Sequence, residues 1–192
     1  MKTSIITWAD IHRHGDLWWQ HLQLRRALFV NEKGWGVPHN HEAEWDQYDN
    51  ANTVYVITHS EGQVLAASRL NPCNFESGGW SYMIRDACLG KLPGIPTDIL
   101  NQTELFSDAW EATRFTVSQK ISQDARDTAL AENAKALYRA ATQIKTPTLL
   151  ALMRPGFIRW LTDIGLPTER LGPTRKDATG ERICVMSMAI AL

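Results

Sequence analysis

Glu44-Trp45-Asp46-Gln47-Tyr48-Asp49 places three carboxylates and two aromatic rings in six consecutive positions. Carboxylates this close repel one another, and burying them costs stability unless cations or hydrogen-bond donors stand among them. The cations that suit this need are remote in sequence, with Arg25 upstream and Arg69 downstream, and Arg69 is expected to neutralise Asp46 and Asp49. Any compact fold of this chain has to answer the acid run. The expectation is that Asp46, Asp49, Arg69 and Glu111 converge on one cleft.

The chain has 192 residues, 44% hydrophobic and 21% charged, which is ordinary globular composition and enough to bury a core. A single domain spanning 1–192 is predicted, since no repeat, low-complexity tract or Ser/Gly linker divides it. Residues 1–10 hold no apolar stretch that suits a signal peptide, and no later run suits a bilayer span. Cys73, Cys88 and Cys184 are odd in number and irregularly spaced, which fits reduced thiols and a cytoplasmic location. Residues 1–111 carry 8 Lys and Arg against 14 Asp and Glu, whereas 112–192 carry 12 against 7. The acidic part suits a cationic ligand and the basic part an acidic partner; the plainer alternative is a solvated surface.

Apolar spacing through Leu17, Trp18, Leu22 and Phe29 predicts a helix from Asp16 to Val30, with Asp16 as N-cap. Residues 31–52 read as a long loop. Thr53–Ile57 and Val64–Leu70 read as a strand hairpin, and Ala109–Val117 as another strand. On a regular strand Glu111 and Arg114 face opposite ways, so a bulge or bend is needed for both to meet one ligand. Leu130, Ala134, Leu137, Ala141 and Ile144 mark a long helix from Ser122 to Ile144. A strand Thr148–Met153, a helix Pro155–Ile164 ended by Gly165, and a strand Arg182–Leu192 follow. The order implies an α+β, single-domain, three-layer sandwich with a mixed β-sheet flanked by helices.

Read together, Arg25-x-x-x-Phe29, Trp35, Glu44-x-Asp46-Gln47-Tyr48-Asp49, Arg69-Leu70 and Trp110-Glu111-x-x-Arg114-Phe115 resemble the acyl-homoserine-lactone synthases. Those enzymes belong to the acetyltransferase-like N-acyltransferase superfamily and make quorum-sensing signals. The resemblance implies an acyltransferase that joins S-adenosylmethionine to an acyl thioester and releases methylthioadenosine, with no cofactor and no metal. It implies Glu111, Asp46, Asp49 and Arg69 as the catalytic set, with Glu111 the base that takes the amine proton. Arg25, Phe29, Trp35 and Arg114 become the S-adenosylmethionine contacts. Arg25 pairs either with the ligand carboxylate or with a neighbouring acid, and Phe29 or Trp35 offers a ring face to the sulfonium.

In the resembling enzymes the acyl pocket lies between the long helix and the next strand, which points here to Leu150, Leu152, Met153 and Phe157. Plain core is the alternative for these four. No glycine-rich turn for a pyrophosphate follows Phe115, so acyl carrier protein is the expected donor, with acyl-coenzyme A the alternative. Arg126, Lys135, Arg139, Lys145, Arg154 and Arg159 are the candidate carrier-docking residues. No nucleic-acid partner is expected, and a monomer or weak dimer is. Cys88 stands roughly where the family pattern has a Phe. Two other functions stay open: an acyl-coenzyme A N-acyltransferase acting on another amine, and a non-catalytic regulator that binds S-adenosylmethionine or a carrier. All six His residues precede residue 60 without the spacing of a metal site.

Overall fold

A computed structural model describes residues 1–100 and 106–191. Its elements are β1 (Lys2–Thr7), α1 (Leu17–Arg25), β2 (Val54–Ser60), β3 (Gln63–Pro72), α2 (Met83–Cys88), β4 (Ala109–Val117), α3 (Gln123–Gln143), β5 (Thr148–Met153), α4 (Gly156–Asp163), β6 (Glu169–Arg170), β7 (Arg175–Lys176) and β8 (Arg182–Ala189). The strands form one mixed, open sheet in the order β1-β2-β3-β4-β5-β8-β6, with β7 also pairing to β8. The β4–β5 pair is parallel, and β1–β2, β2–β3 and β5–β8 are antiparallel. The chain forms two compact units, Met1–Leu70 with Arg114–Ala140, and Asn71–Thr113 with Ala141–Leu192.

In the first unit, β2 and β3 are buried along most of their length. One face packs Tyr55, Ile57 and Ala67 with Ile6 of β1 and, from the helical side, Leu17 and Trp18. On α3, Asn133 is wholly buried and satisfied by donating to the Val56 carbonyl at 2.9 Å and accepting from the Ser68 hydroxyl at 2.7 Å. A buried polar side chain is tolerated because its bonds are made, and here they register α3 on the hairpin.

Helix α1 departs from the predicted span. It ends at Arg25 and continues over Arg26–Glu32 as a π-helix, with Lys33 N–H donating to the Leu28 carbonyl at 2.9 Å. Asp16 holds the N-cap position, but its side chain makes no capping bond. The buried residues of α1 are His21, Leu22 and Arg25, three and four apart and hence on one face. That face is mostly polar, so an apolar periodicity does not reveal it.

In the second unit the core gathers Cys73, Tyr82, Ile84, Ala87, Ile99, Ala109, Leu150, Ile183 and Val185. Gly172 is packed so tightly that a Cβ there would stand 2.0 Å from the Ile99 carbonyl oxygen. Gly165, at φ 87°, ends α4 in the left-handed region that glycine tolerates. Strands β1, β6 and β7 and helix α2 fall outside the predicted elements, being short or at a sheet edge. Strand β8 ends at Ala189, and Leu192 lies outside the described residues.

Candidate active site

The acid run is shaped first by its own backbone. Asp46 N–H donates to Asp49 Oδ2 at 2.9 Å, and Tyr48 N–H to Asp46 Oδ1 at 2.9 Å. Glu44 N–H reaches the Leu22 carbonyl of α1 at 3.2 Å, which pins the loop beside Arg25. Glu44, Asp46 and Tyr48 turn inward, whereas Trp45 remains 43% exposed.

Three arginines answer the three acids in a closed ring. Arg25 donates through Nε to Glu44 at 2.5 Å, and through both terminal nitrogens to the two oxygens of Asp49 at 2.8 Å. Arg69 reaches Asp46 at 2.6 Å and Asp49 at 2.9 Å. Arg114 reaches Asp46 at 2.6 Å and Glu44 at 3.0 Å. Each arginine thus bridges two acids, each acid bridges two arginines, and the ring is neutral. No side chain of the six is more than 8% exposed. Desolvating an ion is costly, and breaking such a ring by deleting one partner strands its neighbours.

Burial opposes ionisation of Asp46, yet the guanidiniums of Arg69 and Arg114 outweigh it and hold its carboxyl below the usual range. For Asp49 burial is likewise overcome by Arg69 and Arg25, which hold it well below that range. Behind Arg25, His21 is fully buried, with Nδ1 against the Trp18 carbonyl. Burial, reinforced by the charge of Arg25, lowers its pKa to about 3, so it is neutral at physiological pH.

Arg114 takes its place in the ring through a kink in β4. Its φ is 55°, left-handed for a residue with a Cβ. Ala109, Glu111 and Thr113 are buried in alternation, but beyond the kink the fully buried residue is Thr116 rather than Phe115. The alternation of burial thus slips by one residue at the kink. The Arg114 guanidinium also lies 5.0 Å over the Phe29 ring. Phe29 stacks on Trp35 at 4.9 Å and 15°, and Lys33 stands 5.0 Å over the Trp35 ring. The π-helical turn widens the backbone where Phe29 slides beneath Trp35.

Of the expected site residues, Arg25, Phe29, Trp35, Asp46, Asp49, Arg69 and Arg114 meet in the first unit. Of the two partners open to Arg25, the structure shows acids. Glu111 belongs to the second unit, where its wholly buried carboxylate accepts Met83 N–H at 2.8 Å and Ile84 N–H at 2.7 Å. It thereby satisfies two donors at the N-terminus of α2. Cys88, on that helix, is half-buried against the same core, and burial pushes its thiol up. Two residues went unassigned from sequence. Glu44 sits inside the motif and closes the ring, and His21 lies one helical turn before Arg25.

Leu150 is fully buried, and Leu152, Met153 and Phe157 are half-buried. Parallel pairing of β4 with β5 runs from Ala109–Thr148 to Glu111–Leu150, while β5 continues beside β8 as far as Met153–Cys184. Of the basic candidates, Arg126 meets Gln119, and Lys135 and Arg139 are exposed on α3. Lys145 is exposed beyond α3, Arg154 pairs with Glu181, and Arg159 stands 3.7 Å from Asp163 with its side chain 90% exposed. Among the described residues no group of three or more His, Cys, Asp or Glu is arranged for a metal, and no helix is long and apolar enough to cross a membrane.

The autoinducer synthase family model matches residues 11–143, which hold the entire ring and Glu111. The chain belongs to the autoinducer synthase family. The chain is 31% identical over 104 residues to an acyl-homoserine-lactone synthase of Pseudomonas fluorescens, a match covering 50% of this chain and 45% of that protein. To an acyl-homoserine-lactone synthase of Pseudomonas aeruginosa it is 28% identical over 159 residues, covering 80% of this chain and 73% of the other. Its fold matches the solved structure of BjaI, a CoA-dependent acyl-homoserine lactone synthase with SAM and isopentyl-CoA, at a TM-score of 0.73 and 20% identity, covering 99% of this chain and 84% of that one.

Proposed function

We propose that the chain acylates the amine of S-adenosylmethionine from a thioester and closes the product to an N-acyl-homoserine lactone, releasing methylthioadenosine. The buried ring of Arg25, Glu44, Arg114, Asp46, Arg69 and Asp49, built on the family's motif positions, carries this reading. A neutral, rigid frame of this kind holds substrate-binding side chains at fixed angles and adds no net charge of its own. Phe29 and Trp35 supply the aromatic wall for the sulfonium.

Glu111 takes the proton of the substrate ammonium, its carboxylate oriented by the Met83 and Ile84 N–H groups. The freed amine then attacks the thioester carbonyl, forming the C–N bond and expelling the thiol. The methionine carboxylate next attacks its own γ-carbon, forming the C–O bond while the sulfonium leaves as methylthioadenosine. Holding the chain curled supplies most of what this second step needs.

The acyl chain lies along Leu150, Leu152, Met153 and Phe157, beside the stretch of β5 beyond its pairing with β4. Acyl carrier protein is the proposed donor, docking through Arg126, Lys135, Arg139, Lys145, Arg154 and Arg159. The solved relative named above uses coenzyme A, so donors are to be compared directly. Carrier-dependent turnover weakens with salt, because exposed charges are screened over about 8–10 Å. The compartment is the cytoplasm, and the enzyme works as a monomer or weak dimer.

The test is incubation with S-adenosylmethionine and a panel of acyl thioesters on coenzyme A and on carrier protein, read by mass spectrometry. Lactone and methylthioadenosine in equal amounts are expected. Amide formed on another amine, or S-adenosylmethionine bound without product, would replace this reading with an ordinary N-acyltransferase or a regulator.

A further inference from the structure

Tyr55 is completely buried on β2, and its hydroxyl donates to Asp49 Oδ1 at 3.2 Å. In the β2–β3 register Tyr55 stands directly opposite Arg69. Arg69 reaches the other oxygen of the same carboxylate at 2.9 Å. Two cross-strand neighbours therefore hold Asp49 by one oxygen each. From the helix side Arg25 takes both oxygens at 2.8 Å, and Asp46 N–H adds a bond at 2.9 Å. Five donors converge on one carboxylate, which has about four lone-pair sites.

The anchor contributed by Tyr55 differs in kind from the rest. Three guanidiniums already balance three carboxylates, so a fourth cation would leave a buried, unpaired charge. A phenol adds a donor without adding charge. Burial, and then the nearby Asp49 charge, push the Tyr55 pKa up, so the hydroxyl keeps its proton and donates. Its ring cannot swing aside, because His21 packs against it at 4.8 Å and Trp18 meets it edge-on at 6.3 Å.

We propose that Tyr55 is a positioning residue, which fixes the orientation of the Asp49 carboxylate and through it the setting of Arg25 and Arg69. Its link to turnover rests on the reading of the ring as the frame of the S-adenosylmethionine site. Tyr55→Phe keeps the ring packing and removes only the hydroxyl. Losing one such bond is expected to raise KM for S-adenosylmethionine about two- to tenfold and leave KM for the acyl thioester in place. A residue that merely supports the fold would move both constants together and lower the melting temperature.

A second readout needs no activity. In side-chain ¹⁵N spectra the Nε–H signals of Arg25 and Arg69 should shift or broaden in Tyr55→Phe, while that of exposed Arg159 should not. Unchanged Arg25 and Arg69 signals, or an unchanged KM split in an active enzyme, overturn the assignment of Tyr55. Absence of lactone synthesis by the unmodified protein would instead overturn the functional reading, and the spectra would still decide on Tyr55.

Discussion

Arg114 and Glu44 are 70 residues apart in sequence, and their 3.0 Å contact closes the buried ring of six charges. Without it the six charges form an open row, Glu44–Arg25–Asp49–Arg69–Asp46–Arg114, whose ends, Glu44 and Arg114, each lose a partner. Glu44→Gln keeps the shape but removes one negative charge between two buried guanidiniums. Stability should fall by about 3–5 kcal/mol, the cost of breaking a buried ion pair from one side. Urea denaturation of the two proteins measures it, and a loss under about 1 kcal/mol would place Glu44 in a solvated site.

The left-handed φ of 55° at Arg114 separates backbone strain from side-chain loss. Arg114→Ala and Arg114→Gly both delete the guanidinium, but only glycine takes this conformation without a Cβ penalty. Arg114→Gly should be the more stable by about 1 kcal/mol, and both should lose lactone formation. Equal melting curves for the pair would remove the strain at this kink.

Below neutral pH, His21 governs stability over a defined window. Its pKa falls from 6.5 in the unfolded chain to about 3 in the folded one. Above pH 6.5 both states are neutral there, and its contribution is complete. As pH drops below 6.5 the unfolded chain takes up a proton that the folded one refuses. Stability then declines toward pH 3 at a limiting slope of about 1.4 kcal/mol per pH unit from this group. His59, also lowered by burial, adds in the same direction, and Asp46 and Asp49 join only below their ordinary carboxylate range. His21→Phe should flatten the slope between pH 6.5 and 4.5 in urea titrations; a slope equal to that of the unmodified protein would contradict a buried, neutral His21.

Glu111→Gln sets two effects in one variant. The amide still offers an oxygen to one of the Met83 and Ile84 N–H groups but turns a donor toward the other, costing about 1–3 kcal/mol. If Glu111 is the base, acylation should slow by about 10²–10⁴-fold with S-adenosylmethionine still bound. Calorimetric binding beside single-turnover acylation separates the two. Near-normal turnover would move the base elsewhere.

The acyl pocket should prefer a chain without a 3-oxo group, since Ala151, Leu152 and Met153 offer no hydroxyl. The nearby Thr146 hydroxyl is engaged, 2.9 Å from the Asp108 carbonyl and 3.0 Å from that of Thr148. A buried 3-oxo group would lose its water bonds at a cost of about 1–3 kcal/mol. Comparing kcat/KM for unsubstituted and 3-oxo thioesters of one length tests this, and faster use of the 3-oxo donor would place the pocket elsewhere.

Much of the molecule was legible in residue order alone. Alternation and helical spacing marked β2, β3, β4, α3, β5, α4 and β8 because each buries a face whose period is local. The acid run announced that cations had to come to it, and the motif positions named Arg25, Arg69 and Arg114. Which acids meet Arg25 and Arg114 was decided only by tertiary structure. It depends on the β2–β3 register that sets Tyr55 opposite Arg69, on the π-helical turn after Arg25, and on the kink at Arg114. These are non-local or strained features without a periodic signature. Glu44 and Tyr55 show the difference most plainly: their residue types were in view, but their roles exist only where separate segments bring a cation or an acid within hydrogen-bonding reach.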